Sequence, residues 1–149
     1  MYFYPSKGVA DSIIEAIDQG VTVNIITESS VSGPASISEA LDIKAKVNPE
    51  KAGNLKIWLF QQGEVRFHKK IMIFDDIVFS GSGNMSYKSM ILNSDFEINF
   101  LVRFEKFSKD LIEVLRTDVN SSSEVTKNSN GFIDGIKSFM WKLGVRFWG

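Results

Sequence analysis

Residues 68–84 hold His68-Lys69-Lys70, then Asp75, then Gly81-Ser82-Gly83-Asn84. His68 is the only histidine of the chain. An imidazole is a nucleophile near neutral pH, a lysine two residues on brings a positive charge, and the Ser/Asn turn brings hydrogen-bond donors. These are the groups needed to bind a phosphate, attack its phosphorus and stabilise the charge that grows on its oxygens. Side chains alternate along a strand, so His68 and Lys70 are expected on one face, with Lys69 on the other and solvated. Gly81 and Gly83 would let backbone amides approach a ligand closely.

Composition narrows the chemistry. The 149 residues suit one domain with a sizeable core, and the 44% hydrophobic and 23% charged content is that of a globular protein. With a net charge of −1 and a pI near 5.8, a general nucleic-acid binder is the less favoured class. The absence of cysteine removes thiolate nucleophiles, disulfides and zinc–cysteine sites. A single histidine removes multi-histidine metal sites. Oxygen ligands remain, but no EF-hand-like pattern occurs, so the chemistry is read as free of metal and cofactor. Met1-Tyr2-Phe3-Tyr4-Pro5 lacks a basic, then apolar, leader, and no stretch is long and apolar enough to span a bilayer. A cytoplasmic or membrane-peripheral location is expected.

The elements that must position these residues read as α/β, with a mixed, partly parallel central sheet flanked by helices. Tyr2–Tyr4 looks like a strand end, and Ser6 can cap a helix over about 8–19, which Gly20 closes. Val21–Thr27 is β-branched, and strand, helix, strand suggests a βαβ unit with parallel pairing. A polar loop at 28–35 leads to a helix ending near Val47, with Ser36 and Glu39 matching a capping box. Strands are expected at Leu55–Phe60, Phe67–Phe74, Ile77–Phe79 and Glu97–Val102, with Asp75-Asp76 as a tight turn. A helix runs from about Phe107 to Asn120. Residues 1–120 therefore read as one lobe and 121–130 as a Ser/Asn/Lys linker. In 131–149 the residues Phe132, Ile136, Phe139, Met140, Leu143 and Phe147 recur at helical spacing beside Lys137, Lys142 and Arg146, which suits core packing or a bilayer interface.

His68-x-Lys70-x4-Asp75 followed by Gly81-Ser82-x-Asn84 resembles the signature of the phospholipase D superfamily. Tyr2-Phe3-Tyr4-Pro5-Ser6, Gly20-Val21-Thr22-Val23 and Asp95-Phe96-Glu97-Ile98-Asn99 are similar to the C-terminal catalytic half of bacterial cardiolipin synthases. The spacing from Asp75 to Gly81 is one residue shorter than the family's usual spacing. The resemblance implies a phospholipase D-like lobe in which His68 forms a phosphohistidine. Lys70, Asn84 and Ser82, with Gly81 in the same turn, would hold the phosphate. Glu97 would orient the histidine, Asp95 being the weaker candidate for that place, and Asp75 would support the local structure of the motif.

Members of the superfamily join two His-x-Lys motifs in one active site, and this chain has one. The second is expected from another copy of the chain, as a homodimer, or from a separate partner half. The N-terminal side of the lobe is expected to be incomplete. The leading expectation is a phosphatidyltransferase acting on a phosphatidylglycerol-like lipid, with membrane-surface contact through 131–149. The alternatives are a dimeric single-motif phosphodiesterase or nuclease, and a catalytically incomplete domain that binds phosphate or lipid.

Overall fold

The β-branched run after Gly20 forms strand β2 (Val23–Glu28), which pairs in parallel with β3 (Leu55–Phe60), Val23 opposite Leu55 and Glu28 opposite Phe60. The computed structural model describes residues 3–28, 33–61, 67–86, 89 and 96–126. Their architecture is mixed α/β, with eight strands and three α-helices in this described part. Helix α2 (Gly33–Lys46) makes the crossover between β2 and β3, so the parallel βαβ unit is β2-α2-β3. The pairing expected between the first two strands does not form. The first strand, β1 (Phe3–Tyr4), instead runs parallel to β6 (Met85–Ser86), with Phe3 opposite Met85.

Helix α1 (Lys7–Asp18) starts where the sequence says it should. The Ser6 hydroxyl accepts from the Val9 N–H at 3.4 Å, and Gly20, at φ 97°, closes the other end with its N–H on the Ile17 carbonyl at 2.9 Å. Its apolar stripe, Val9, Ala10, Ile13, Ile14 and Ile17, packs on Ile25, Ala40, Ile43, Leu55 and Ile57. Each of the fully buried Ile and Leu side chains in this core contributes about 1.5–3 kcal/mol of transfer free energy.

Helix α2 begins a turn earlier than the Ser36/Glu39 capping box predicts. Ser36 is buried inside the helix, and its hydroxyl accepts from the Phe3 N–H at 3.1 Å, anchoring β1. Lys44 and Lys46 lie in the last turn, where positive charge complements the helix dipole.

A three-stranded antiparallel sheet follows in the order β4-β5-β7: β4 (Ile71–Phe74), β5 (Ile77–Gly81) and β7 (Asn99–Arg103). Asp75, at φ 55°, makes the tight turn between β4 and β5. Residues 67–70 were expected to extend β4, but the ladder begins only at Ile71 opposite Ser80. Helix α3 (Glu105–Asn120) then leads into β8 (Ser122–Glu124), which pairs antiparallel with the second half of β3. These three residues fall in the stretch expected to be a linker. Their pairing with Trp58–Phe60 supplies the strand geometry that the polar Ser-Ser-Glu sequence does not favour. The amphipathic segment 131–149 lies outside the described residues. No described helix is long and apolar enough to cross a membrane.

Candidate active site

In an antiparallel sheet of order β4-β5-β7, the start of β4, the end of β5 and the start of β7 meet at one edge. His68 and Lys70 precede β4, Ser82 and Asn84 follow β5, and Glu97 precedes β7. The sheet therefore gathers all five at the same end. Asp75 sits at the opposite end with Asp76, whose carboxylate accepts from the Arg103 guanidinium at 2.8 Å. Asp75 shapes the hairpin turn there and has no contact with the His68 group.

The Lys70 ammonium lies 2.9 Å from Nε2 and 3.3 Å from Nδ1 of His68, and a position that close to both nitrogens is over the imidazole ring rather than in its plane. The in-plane lone-pair direction of the unprotonated nitrogen, whichever tautomer holds it, is therefore not taken by the ammonium. Burial pushes Lys70 below the ordinary lysine value, while the negative charges of Glu97 and Glu28 hold it up. The Ser80 hydroxyl donates to the Lys70 carbonyl at 2.8 Å and fixes the backbone at that point.

The Gly81-Ser82-Gly83-Asn84 turn is clasped to residues 97–99. The Ser82 N–H donates to the Ile98 carbonyl at 3.0 Å, and the Ile98 N–H returns a bond to the Ser82 hydroxyl at 3.0 Å. That hydroxyl in turn donates to the Glu97 carboxylate. The Gly83 N–H donates to Oδ1 of Asn99 at 3.1 Å. The amides of Ser82 and Gly83, expected to face a ligand, are thus spent inside the protein. Their glycine neighbours serve a close approach of backbone to backbone: a Cβ on Gly81, whose φ is 153°, would run into the Ile98 carbonyl and the Asn99 backbone. Asn84 is half-buried at the end of the turn, and its carbonyl accepts from the Ser86 N–H at 2.8 Å.

Glu97 bonds Ser82 rather than the histidine ring, and its charge acts on Lys70. Asp95 lies outside the described residues. Lys69, expected in solvent, instead reaches inward and donates to both carboxylate oxygens of Asp118, at 2.7 and 2.6 Å. Helix α3 packs on that side of the segment, which a local reading of the strand could not show. Two contributors were missed. Glu28 ends β2 and acts on Lys70, and the carboxyl end of a parallel strand, where α/β sheets place ligands, was the available signal. Asn99 stands in the segment similar to the cardiolipin synthases with no role expected of it, and its side chain closes the turn. Among the described residues, no group of three or more His, Asp or Glu side chains could hold a metal ion.

The arrangement joins an exposed imidazole, a partly desolvated ammonium and an Asn-containing turn backed by a carboxylate. Chemically it can cradle a phosphodiester and present a nitrogen lone pair to its phosphorus.

The chain is similar to known proteins in sequence and in fold. The family model described as "Cardiolipin synthase, PLD-like domain" matches residues 1–119. Cardiolipin synthase 1 of Staphylococcus aureus (strain COL) is 31% identical over 133 residues, 86% of this chain and 25% of that protein. Cardiolipin synthase 1 of Staphylococcus epidermidis (strain ATCC 12228) is 30% identical over 131 residues, 85% of this chain and 24% of that protein. The chain thus spans about a quarter of the length of these curated relatives. Among solved structures, Nuc of Salmonella typhimurium, a phospholipase D family member, superposes with a TM-score of 0.65 at 18% identity, covering 85% of this chain and 78% of that one. NucT from Helicobacter pylori gives 0.60 at 17% identity, covering 84% and 79%. These two likenesses are of fold.

Proposed function

Because the chain belongs to the cardiolipin synthase family of phospholipase D-like domains, we propose that it transfers a phosphatidyl group through a phosphohistidine at His68. The observation that carries this reading is the Lys70 ammonium 2.9 Å from His68 Nε2, at the sheet end where the Ser82–Asn84 turn and Glu97 converge.

In the first half-reaction, the ring nitrogen forms an N–P bond as the P–O bond to the departing alcohol breaks. That alcohol leaves with a proton from a general acid. In the second, an acceptor alcohol or water attacks the phosphorus, gives its proton to the same group and frees His68. Lys70 and Asn84 neutralise and orient the phosphoryl oxygens. Ser82 joins them when its hydroxyl turns from Glu97, and otherwise holds the turn. Glu97 keeps Lys70 charged despite its desolvation. Asp75 acts only through the hairpin.

On the family's two-histidine pattern the acid is read as a second histidine, and His68 is the only one in this sequence. A second copy across a two-fold axis, or a companion lobe with its own His-x-Lys motif, supplies it. The donor lipid is read as phosphatidylglycerol-like, and the basic, aromatic segment 131–149 as a contact with the membrane surface.

The test is incubation of the purified protein with phosphatidylglycerol vesicles in the presence of a chelator. Cardiolipin and glycerol are the expected products, with an acid-labile phosphoryl label on His68. No turnover and no label would refute the transferase reading for this chain. Cleavage of DNA or RNA under the same conditions, with no action on lipid, would assign it to the single-motif phosphodiesterases instead. Headgroup binding without turnover would make it a binding domain.

A further inference from the structure

We propose that Asp118 is a positioning residue: by clamping Lys69 from inside the fold, it sets His68 and Lys70 against each other on the outside. Residues 67–70 precede the first ladder pair of their sheet, Ile71 with Ser80, so side chains must fix the stretch that carries the nucleophile. Those side chains alternate. Phe67 is buried against Phe60, with ring centroids 5.2 Å apart, and Lys69 points inward, its ammonium 5.6 Å from the Phe67 ring. His68 and Lys70 take the other side.

The inward anchor is unlike the other ion pairs described. Lys7–Asp11, Lys106–Asp110 and Lys109–Glu105 are exposed pairs one helical turn apart, and Arg103–Asp76, though distant in sequence, is exposed as well, all of the kind worth little. Asp118 is buried, and both of its oxygens chelate the Lys69 ammonium, which comes from a distant part of the chain.

Asp118 is itself held to the other sheet. Its carbonyl accepts from the Ser121 N–H at 3.1 Å and from the Ser122 hydroxyl at 2.7 Å, and Ser122 pairs with Phe60 of β3. The clamp therefore references the His68 segment to the β2-β3-β8 sheet. Removing Lys69 leaves the Asp118 carboxylate uncompensated, and the segment then keeps the Ser80 bond to the Lys70 carbonyl but loses its charged anchor to α3. A misplacement of ~1 Å in a reacting group costs on the order of 10²-fold in rate.

The kinetic part of this proposal rests on the phosphoryl-transfer reading above; the structural part does not. With one histidine in the chain, the imidazole ring signals in an NMR spectrum belong to His68 alone. The full chain is compared as wild type, Lys69→Met, Asp118→Asn and Lys69→Arg. A nuclear Overhauser contact between the His68 ring and the Lys70 ε-methylene is expected in the wild type and in Lys69→Arg, and lost in the other two. Where lipid turnover is measured, kcat falls about 10²-fold in Lys69→Met and Asp118→Asn, with KM near wild type, and Lys69→Arg restores it. Ring signals and contact unchanged in both variants, with only the melting temperature lowered, would overturn the proposal and leave a purely structural ion pair. If Lys69→Met does not fold, Asp118→Asn, which keeps the side-chain shape, decides the matter by the same signals. A wild type that turns over no lipid but whose ring contact depends on the clamp upholds the positioning and removes the transferase reading. Turnover with a ring indifferent to the clamp does the reverse.

Discussion

A methyl group added at residue 81 should be among the most costly small changes this chain can suffer. Gly81 is the last residue of β5, opposite Asn99, and its φ of 153° lies where side-chain-bearing residues rarely go. Such backbone strain costs about 1–3 kcal/mol. The new Cβ would also collide with the Ile98 carbonyl oxygen and the Asn99 Cα, which are backbone atoms that no rotamer change can move. Forced displacement of packed backbone adds another ~1–3 kcal/mol. Gly81→Ala is therefore expected to lose about 2–6 kcal/mol, a fall of roughly 4–24 °C in melting temperature for a domain of this size. Two further glycines separate the causes. Gly20 has a φ of 97° but nothing within 4 Å of a built Cβ, so Gly20→Ala should lose only the conformational part, about 1 kcal/mol. Gly53 has open space and no positive φ, so Gly53→Ala should be neutral or gain up to ~1 kcal/mol. Thermal and urea unfolding followed by circular dichroism measures all three. A Gly81→Ala variant that melts within ~2 °C of wild type, or above Gly20→Ala, would refute the reasoning.

His68 is exposed, so His68→Ala should abolish transfer while leaving the melting temperature within ~2 °C of wild type; residual phosphoryl labelling of that variant would contradict the nucleophile assignment. Burial lowers the Lys70 value, so the free protein's kcat/KM should decline on the alkaline side at a pH below 10.5, as the ammonium loses its proton. In Lys70→Arg that limb should vanish, whatever the absolute rate, because a guanidinium does not titrate there; an unmoved limb in the variant would place the titration elsewhere. The same depressed value gives stability a defined sign. The unfolded chain holds this proton more tightly, so Lys70's contribution is least favourable below its folded value and improves as pH rises from there toward 10.5. Ile57 is fully buried in β3, and Ile57→Ala should cost about 2–5 kcal/mol in urea unfolding, a loss under 1 kcal/mol meaning that the core collapses around the gap.

What could be read locally was read well. Ser6, the apolar stripe behind it and Gly20 define α1 through cap chemistry and periodicity, which need no distant partner. Leu55–Phe60 and the Asp75-Asp76 turn are likewise short-range features. The misses share a cause in contacts remote along the chain. The partner of Phe3 is Met85, and nothing near residue 3 announces it. Ser36 looks like a cap because caps use serine, but its hydroxyl is taken by the Phe3 amide. Lys69 looks like a solvated charge until α3 brings Asp118 to it. At the site, the types and order of His68, Lys70, Ser82, Asn84 and Glu97 were legible, and strand topology then explains their convergence. The internal use of the turn's amides and the part played by Glu28 depend on three-dimensional placement and were not legible.

The strand β8 has a consequence for how this domain must be cut. Leu55-Lys-Ile-Trp-Leu-Phe60 is a six-residue run of high β-propensity with a single charge, the composition that templates intermolecular sheet growth when its backbone is bare. One side of it is occupied by β2. On the other, Ser122–Glu124 covers Trp58–Phe60, and the Val125 N–H reaches the Ile57 carbonyl at 2.8 Å. The outer strand of that sheet is then short, polar and acidic, which discourages further addition. A boundary drawn after residue 120, where α3 ends, would strip this cover and expose a sticky edge, so an expressed domain has to run through Val125 to remain soluble.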